Sequence, residues 1–393
     1  MRHGMWLSVT TTVAMLTYAV VSPRGVEARR VVHSAAAVPG AAVPAGPEYR
    51  GAILIDADSG TVLFEKEAHR QSPPASMTKM MLMLLVAERV RDGSLHWDDP
   101  IPTSAWASRI GGSQVYLKQG EIFPLRELMQ AIAIHSANDA AVAVAEAVAG
   151  SSDAFVDLMN ERAKALGMQD TVYRSVHGLP PGKGQQPDMS SAHDMALVAR
   201  QLVQFPDIMK WAGTKEAPFR QGTMTLTNTN RLVRETNWVD GLKTGYYREA
   251  GFSVSATAMR DGLRLIAVVL GAPEKHACFS QAAALLNKGF AEYKALVAVK
   301  QGDAIASDVA VKGGKARFVR VVAGRSLSVL AKRGEKRNFS VALALSGDVQ
   351  APLSANTPIG EVVVKDGDTI IGRVPALAAE PVEKQTSVWS RLF

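Results

Sequence analysis

The stretch Pro73-Pro74-Ala75-Ser76-Met77-Thr78-Lys79 runs straight into Met80-Met81-Leu82-Met83-Leu84-Leu85-Val86, and no other part of the sequence restricts the fold so tightly. The paired prolines favour an extended approach and a sharp helix start, while an apolar run with no polar face requires a helix buried on nearly every side. Ser76 therefore sits at a helix N-terminus, and Lys79, three residues on, rises from the same face. A hydroxyl nucleophile needs a base beside it. An amine serves as that base only if it spends time neutral, and burial in an apolar wall disfavours its ammonium form. Taken alone, the Ser-x-x-Lys spacing is equally that of a serine capping its helix.

A chain of 393 residues has room to enclose such a helix in a sizeable core and to carry a second domain. The formal charge of +7 is modest and is not gathered into one block, which argues against a nucleic-acid partner. It suits an anionic membrane surface, a cell-wall polymer, or simply a solvated basic exterior. At the start, Arg2 and His3 precede an apolar run over residues 5–21, and Val26-Glu27-Ala28 places small residues where a signal peptidase cuts. Residues 1–28 read as a signal peptide, so the protein is expected to be exported to the periplasm. The alternative, an uncleaved inner-membrane anchor, has to contend with Ser8 and the triplet Thr10-Thr11-Thr12 inside the apolar run. The single cysteine, Cys278, allows no internal disulfide and reads as a small buried hydrophobe.

Residues 29–46, rich in Ala, Pro and Gly, read as a linker. Residues 47–294 are expected to form one α+β domain. Two strand-like runs, 51–56 and 61–65, flank the turn Asp58-Ser59-Gly60; further strands are expected at 252–259 and 263–270 and just before Lys243. Together they would build an antiparallel sheet. Helices are expected from Ser76, at 125–135, 138–148, 153–166 and 190–204 (started by a Ser-Ser cap pair), and at 281–293, with a loop at 173–188. Residues 297–376 change character to short β-rich runs at 305–311, 316–322, 339–345, 360–364 and 369–374, separated by turns, which reads as a small all-β domain. Residues 377–393 would be a tail. Its end, Val388-Trp389-Ser390-Arg391-Leu392-Phe393, reads either as one amphipathic turn offering a peripheral membrane contact or as a frayed terminus.

Two further motifs change the weight of the first. Ser136-Ala137-Asn138 follows an apolar helix and leaves a hydroxyl and an amide free to face a cleft; Lys243-Thr244-Gly245 precedes a strand and puts a cation, a hydroxyl and an unencumbered backbone at a sheet edge. The order SxxK, SxN, KTG is the motif set of β-lactamases and penicillin-binding proteins. With the strand pair before Ser76, the segment Ser190-Ser191-Ala192-His193-Asp194-Met195-Ala196, the segment Thr227-Asn228-Thr229-Asn230 and the β-rich C-terminal part, the chain resembles the low-molecular-mass penicillin-binding proteins that act as serine-type D-alanyl-D-alanine carboxypeptidases.

The resemblance implies a penicillin-binding fold, an antiparallel sheet against a helical cluster, and no metal or other cofactor. It implies that Ser76 attacks the penultimate D-alanine of a peptidoglycan stem pentapeptide, with Lys79 taking its proton. Ser136 and Lys243 would relay a proton to the leaving amine, and Asn138 would orient Lys79 and the substrate amide. Lys243 and Thr244 would bind the terminal carboxylate beside Gly245, and the N–H groups of Ser76 and Tyr246 would form an oxyanion hole. β-Lactams would be inhibitors.

Around the cleft, the chain departs from the family pattern in two places. Tyr247 stands where many relatives have a small hydroxylated residue. Where relatives often carry a carboxylate-binding arginine after the 263–270 strand, this chain offers Lys275, His276 and Cys278, or Arg248 as a substitute. A class A β-lactamase would need a glutamate-bearing loop after SxN, and residues 171–187 contain no Glu, so slow release of penicillin is expected. A D,D-endopeptidase shares the motifs, and the extra β domain favours the carboxypeptidase branch by analogy. A non-catalytic wall-binding protein is disfavoured by the presence of every expected side chain.

Overall fold

The computed structural model describes residues 49–386. The expected signal peptide, the linker at 29–46 and the terminal stretch 388–393 lie outside the described residues.

Strands β1 (Gly51–Asp56) and β2 (Val62–Lys66) form the expected hairpin, closed by Asp56, whose carboxylate accepts from the Ser59 N–H at 2.9 Å. The chain then reaches a single 3₁₀ turn, Ala75–Thr78, which leads directly into helix α1 (Lys79–Arg91). From Lys79 to Ala87 every residue of α1 is buried. The apolar run is thus surrounded, as its lack of a polar face demands. Met77, Met80, Met81 and Met83 have no exposed surface and belong to the core.

The short pair β3 (Pro100–Pro102) and β4 (Ile122–Pro124) brackets a long excursion and leads into α2 (Leu125–His135), α3 (Asn138–Ala149) and α4 (Ser152–Ala165). After a loop comes α5 (Ala192–Leu202), capped as the Ser-Ser pair suggested: Ser191 accepts from the Asp194 N–H at 3.1 Å. Helix α6 (Pro206–Ala212), the hairpin β5 (Glu216–Phe219) and β6 (Met224–Thr227), and the short α7 (Arg231–Glu235) follow. Three long strands, β7 (Val239–Tyr247), β8 (Gly251–Arg260) and β9 (Leu263–Ala272), complete an antiparallel sheet of order β2-β1-β9-β8-β7, which leaves β7 at an edge.

Helix α8 (Lys275–Glu292), with the short α7, covers one face of that sheet, and helices α1 to α6 cover the other. Alternation along β1 shows how the sheet divides the core: Ala52 and Leu54 pack with α8, whereas Ile53 and Ile55 pack with the α1 side. The expected start of α8 at residue 281 is corrected to Lys275. Pro273-Glu274-Lys275-His276 reads locally as a turn, yet the extra turn buries Ala277, Cys278 and Phe279.

Strand β10 (Tyr293–Val299) follows α8 without a break. It is succeeded by β11 (Ala304–Lys312), β12 (Phe318–Ala323), β13 (Leu327–Lys332), β14 (Phe339–Leu345), β15 (Val349–Gln350), β16 (Pro358–Asp366) and β17 (Thr369–Ala378). Six of these form a sheet of order β14-β16-β17-β12-β11-β15 around a valine-rich core, and β10 pairs with β13 in a separate ribbon. The all-β expectation for this part matches. Pairing continues past the expected end at residue 376: β17 runs to Ala378, and bridges join Leu353 to Val382 and Gly314 to Lys384.

Candidate active site

The three motifs converge on one cleft of about 240 Å³, lined by Ser76, Ser113, Ser136, Thr229, Thr244, Gly245 and Tyr246 and also by Phe252, Ser253, Lys275, Cys278 and Phe279. Ser76 lies in the 3₁₀ turn rather than in the first turn of an α-helix. Its neighbour Ala75 sits at φ +50°, a backbone region costly for an alanine, so the surroundings hold this turn against its own preference.

Two glycines close on the turn. A side-chain carbon on Gly245 of β7 would come within 2.3 Å of the Pro74 carbonyl oxygen, and one on Gly178 would come within 2.0 Å of the Ala75 carbonyl oxygen. Only residues without a Cβ let the edge strand and the 173–188 loop approach the nucleophile so closely.

Lys79 has no exposed surface, and its Nζ donates to Ser76 Oγ at 3.0 Å and to the His177 carbonyl at 2.6 Å. Burial, reinforced by the like charge of Lys243, drives its pKa well below the ordinary lysine range, against a smaller opposing pull from Asp188 and Asp139. Lys243 is also buried; its Nζ donates to Ser136 Oγ at 2.8 Å and to the Thr244 carbonyl at 3.2 Å. Desolvation lowers its pKa to about 7. Ser136 terminates α2 in a left-handed conformation, φ 66° and ψ 29°, which turns the chain so that α3 begins at Asn138.

Asn138 is placed differently from the expectation that it orients Lys79. Its side-chain N–H₂ donates to the Gly111 carbonyl at 2.7 Å, its own backbone N–H donates to the Ser113 carbonyl at 2.7 Å, and its Oδ1 is buried with no hydrogen-bond partner in the resting site. Thr244 Oγ1 donates to Thr229 Oγ1 at 2.8 Å. Tyr246 is 56% exposed and stacks on Phe252 with ring centroids 4.1 Å apart. Lys275 and Cys278, but not Arg248, line the cleft. Cys278 is buried and its thiol is pushed up to about 12, which keeps it protonated and inert. His276 instead contacts Ser280 at 3.3 Å.

Sequence reasoning passed over the groups that hold this arrangement together. Asp188 is buried and accepts from the Arg174 N–H at 2.5 Å, the Ser175 N–H at 2.9 Å, Ser175 Oγ at 2.8 Å and Thr78 Oγ1 at 3.1 Å. It ties the 173–188 loop to the nucleophile's turn and keeps the His177 carbonyl over Lys79. No local signal marks this bracing, because Thr78 lies 110 positions from Asp188 along the chain.

The chain matches the family model described as D-alanyl-D-alanine carboxypeptidase over residues 41–274, and that of the penicillin-binding protein 5 C-terminal domain over residues 293–384. It is 36% identical over 341 residues to the D-alanyl-D-alanine carboxypeptidase DacF of Bacillus subtilis, covering 86% of each chain. Among solved structures, it superposes on a peptidoglycan synthesis regulatory factor, PBP3, of Streptococcus pneumoniae with a TM-score of 0.69 and 29% identity, covering 86% of this chain and all (100%) of that one. It also superposes on penicillin-binding protein D2 of Listeria monocytogenes, solved with ampicillin bound, with a TM-score of 0.56 and 30% identity over 62% of this chain and 97% of that one. With a serine and two buried lysines in one cleft, on a sheet and helical cluster followed by an all-β part, the chain belongs to the serine-type D-alanyl-D-alanine carboxypeptidases of the low-molecular-mass penicillin-binding proteins.

Proposed function

We propose that this D-alanyl-D-alanine carboxypeptidase removes the terminal D-alanine of peptidoglycan stem pentapeptides through an acyl-enzyme on Ser76. The observation that carries the assignment is Lys79 Nζ at 3.0 Å from Ser76 Oγ inside an apolar wall that favours the neutral amine. Lys79 takes the Ser76 proton as Oγ bonds to the carbonyl carbon of the penultimate D-alanine. The N–H groups of Ser76 and Tyr246 receive the developing oxyanion, a charge present only in the transition state. As the tetrahedral intermediate collapses, the C–N bond breaks, Ser136, bonded to Lys243, passes its proton to the departing amine, and the proton that Lys79 took from Ser76 replaces it on Ser136, leaving Lys79 neutral. Water then attacks the acyl carbon and gives a proton to Lys79, which returns it to Ser76 Oγ as the ester bond breaks and the shortened peptide leaves with a new carboxyl group.

Lys243 and Thr244 hold the terminal carboxylate, and the orphaned Asn138 Oδ1 accepts from a substrate amide, which replaces its expected contact with Lys79. Penicillin acylates Ser76 by the same first step and leaves slowly, because the 171–187 loop supplies no glutamate to activate water. The reading places the enzyme outside the cytoplasm, in the periplasm, on the pattern of residues 1–28, with the tail as a peripheral inner-membrane contact; among the described residues no helix is long and apolar enough to cross a membrane. In this reading residues 47–294 form the catalytic domain.

Ser76→Ala is expected to abolish covalent labelling by a fluorescent penicillin, and unchanged labelling would remove the nucleophile. The wild-type enzyme, given a pentapeptide stem and a cross-linked dimer with products followed by mass spectrometry, is expected to take one D-alanine from the pentapeptide. Cleavage of the dimer alone would make it an endopeptidase, and rapid turnover of penicillin with neither product would make it a β-lactamase.

A further inference from the structure

The face of the sheet that meets the nucleophile's turn carries three buried hydroxyl groups in a row, on Ser253, Ser255 and Thr257 of β8. Alternate residues of a strand share one face. Their neighbours on β9, Val268 opposite Ser255 and Ile266 opposite Thr257, belong to the apolar core on the α1 side. Two of the three hydroxyls have partners there. Ser253 Oγ accepts from the Gly271 N–H at 3.0 Å, and Thr257 Oγ1 accepts from Arg264 Nη1 at 3.0 Å. Ser255 Oγ has no hydrogen-bond partner, although the residue has no exposed surface. Burying an unpaired hydroxyl is unfavourable, and an alanine would fill the same place without that cost. A serine retained here calls for a role that the resting packing does not supply.

The register on the other side of β8 points to one. Ser253 faces Gly245, Ser255 faces Lys243 and Thr257 faces Gly241 of β7. The unpaired hydroxyl is thus the one beside Lys243, and directly opposed residues of an antiparallel pair have Cβ atoms about 5 Å apart. Lys243 is unsatisfied in the same way. A charged amine has three N–H donors. Its Nζ gives one to Ser136 Oγ at 2.8 Å and one to the Thr244 carbonyl at 3.2 Å, and the third has no acceptor among the described residues. A neutral amine would be content with those two bonds, whereas the reaction calls for the charged one. Ser136 gives its proton to the leaving amine, and a cation beside it stabilises the negative charge it gathers meanwhile. The serine hydroxyl turns about one bond and the lysine about four, so bringing the two together takes side-chain rotation alone.

We propose that Ser255 is a positioning residue for the reaction: its hydroxyl takes the third N–H of Lys243 when that amine is charged, and so keeps a cation beside Ser136 while the proton passes. This rests on the roles given above to Lys243 and Ser136. The other charged or titratable groups around the lysine pair are Lys79 of α1, Asp139 at the start of α3, Asp188 of the 173–188 loop and His135, which precedes Ser136. None of them is bonded to Ser255. The test is the second-order rate of acylation by fluorescent penicillin, followed from about pH 6 to about pH 10, which reports ionisation in the free enzyme. Ser255→Ala takes an acceptor from the charged amine and lowers its pKa, so the loss of rate on the alkaline side is expected to begin about one pH unit below that of the wild type. Ser255→Thr keeps the hydroxyl and should keep the wild-type profile. Because the serine is unpaired at rest, Ser255→Ala should also melt no lower than the wild type. An unshifted profile in folded Ser255→Ala, whether or not its melting temperature falls, would overturn the proposal. Wild-type enzyme whose acylation shows no alkaline loss at all would overturn the role given to Lys243 beneath it, and cleavage of the pentapeptide by the wild type tests the carboxypeptidase reading separately.

Discussion

Lys243 shows what the site costs the fold. Burial lowers its pKa from 10.5 to about 7, so between these values the unfolded chain binds a proton that the folded chain does not. Where the unfolded state binds more protons, stability rises with pH, and below about 7 the penalty is constant and greatest. Lys243→Met should therefore melt at a higher temperature than wild type at pH 6, with the gap closing as pH is raised toward 10. A pH-independent gap in parallel thermal melts would contradict this. Most site residues could be read from the sequence because their motif spacing carries the chemistry: Ser76, Lys79, Ser136, Lys243, Thr244, Gly245 and Tyr246 line or meet in the cleft. What could not be read was any contact made by a backbone atom or by a partner distant in sequence. The His177 carbonyl on Lys79 and the bond from Asn138 to Gly111 carry no residue-type signature. Asp188 looked like the end of a loop, since nothing near it in sequence reveals that Thr78 lies against it.

Among the elements, the edge strand β7 and the 3₁₀ turn act as one unit. Gly245→Ala would drive a Cβ against the Pro74 carbonyl oxygen, a backbone atom that cannot swing aside as a side chain can. The strand must back away from Ser76, so the rate of acylation by fluorescent penicillin should fall about 10²-fold, since a misplacement of about 1 Å carries a cost of that order. The loss of stability should stay near 1–3 kcal/mol in denaturant unfolding, about the cost of one overpacked site. An unaltered acylation rate would show that the close approach is not needed. Helices with a clear apolar period or cap, such as α2 and α5, were legible to within two residues. Strands β10 and β13 were not. The first joins α8 with no turn residue between them, and the second pairs only with the first. The hairpin β5–β6 was hidden because its tip places Arg220 and Gln221, residues that do not signal a turn, at positive φ ahead of Gly222.

On the scale of the whole molecule, chemistry and extension separate along the chain. Among the described residues, the hydrogen-bond partners of Lys79 and Lys243 all come from residues before α8 ends, and the C-terminal sheet has a core of its own. The link is the β10–β13 ribbon, where the Arg333 N–H donates to the Glu292 carbonyl at 2.8 Å and Arg333 Nε to the Phe290 carbonyl at 2.9 Å. A chain ending at residue 292 should therefore label with fluorescent penicillin within about twofold of the full-length rate, because distant independent parts contribute additively. Its thermal midpoint should drop, since Phe290 and its neighbours lose cover. A folded truncation, judged by circular dichroism, that no longer labels would tie the C-terminal sheet to the chemistry.

The close approach of Gly178 and Gly245 to the turn also bears on how this enzyme could be inhibited selectively. Backbone is pressed on backbone there, around a residue already in an unfavourable conformation, so the nucleophile's pocket has little freedom to be remodelled by substitution without breaking the turn. A drug that reaches only as far as the serine meets the part of the protein least able to differ from its relatives. Discrimination has to be sought further out, where the Tyr246 ring stands in solvent.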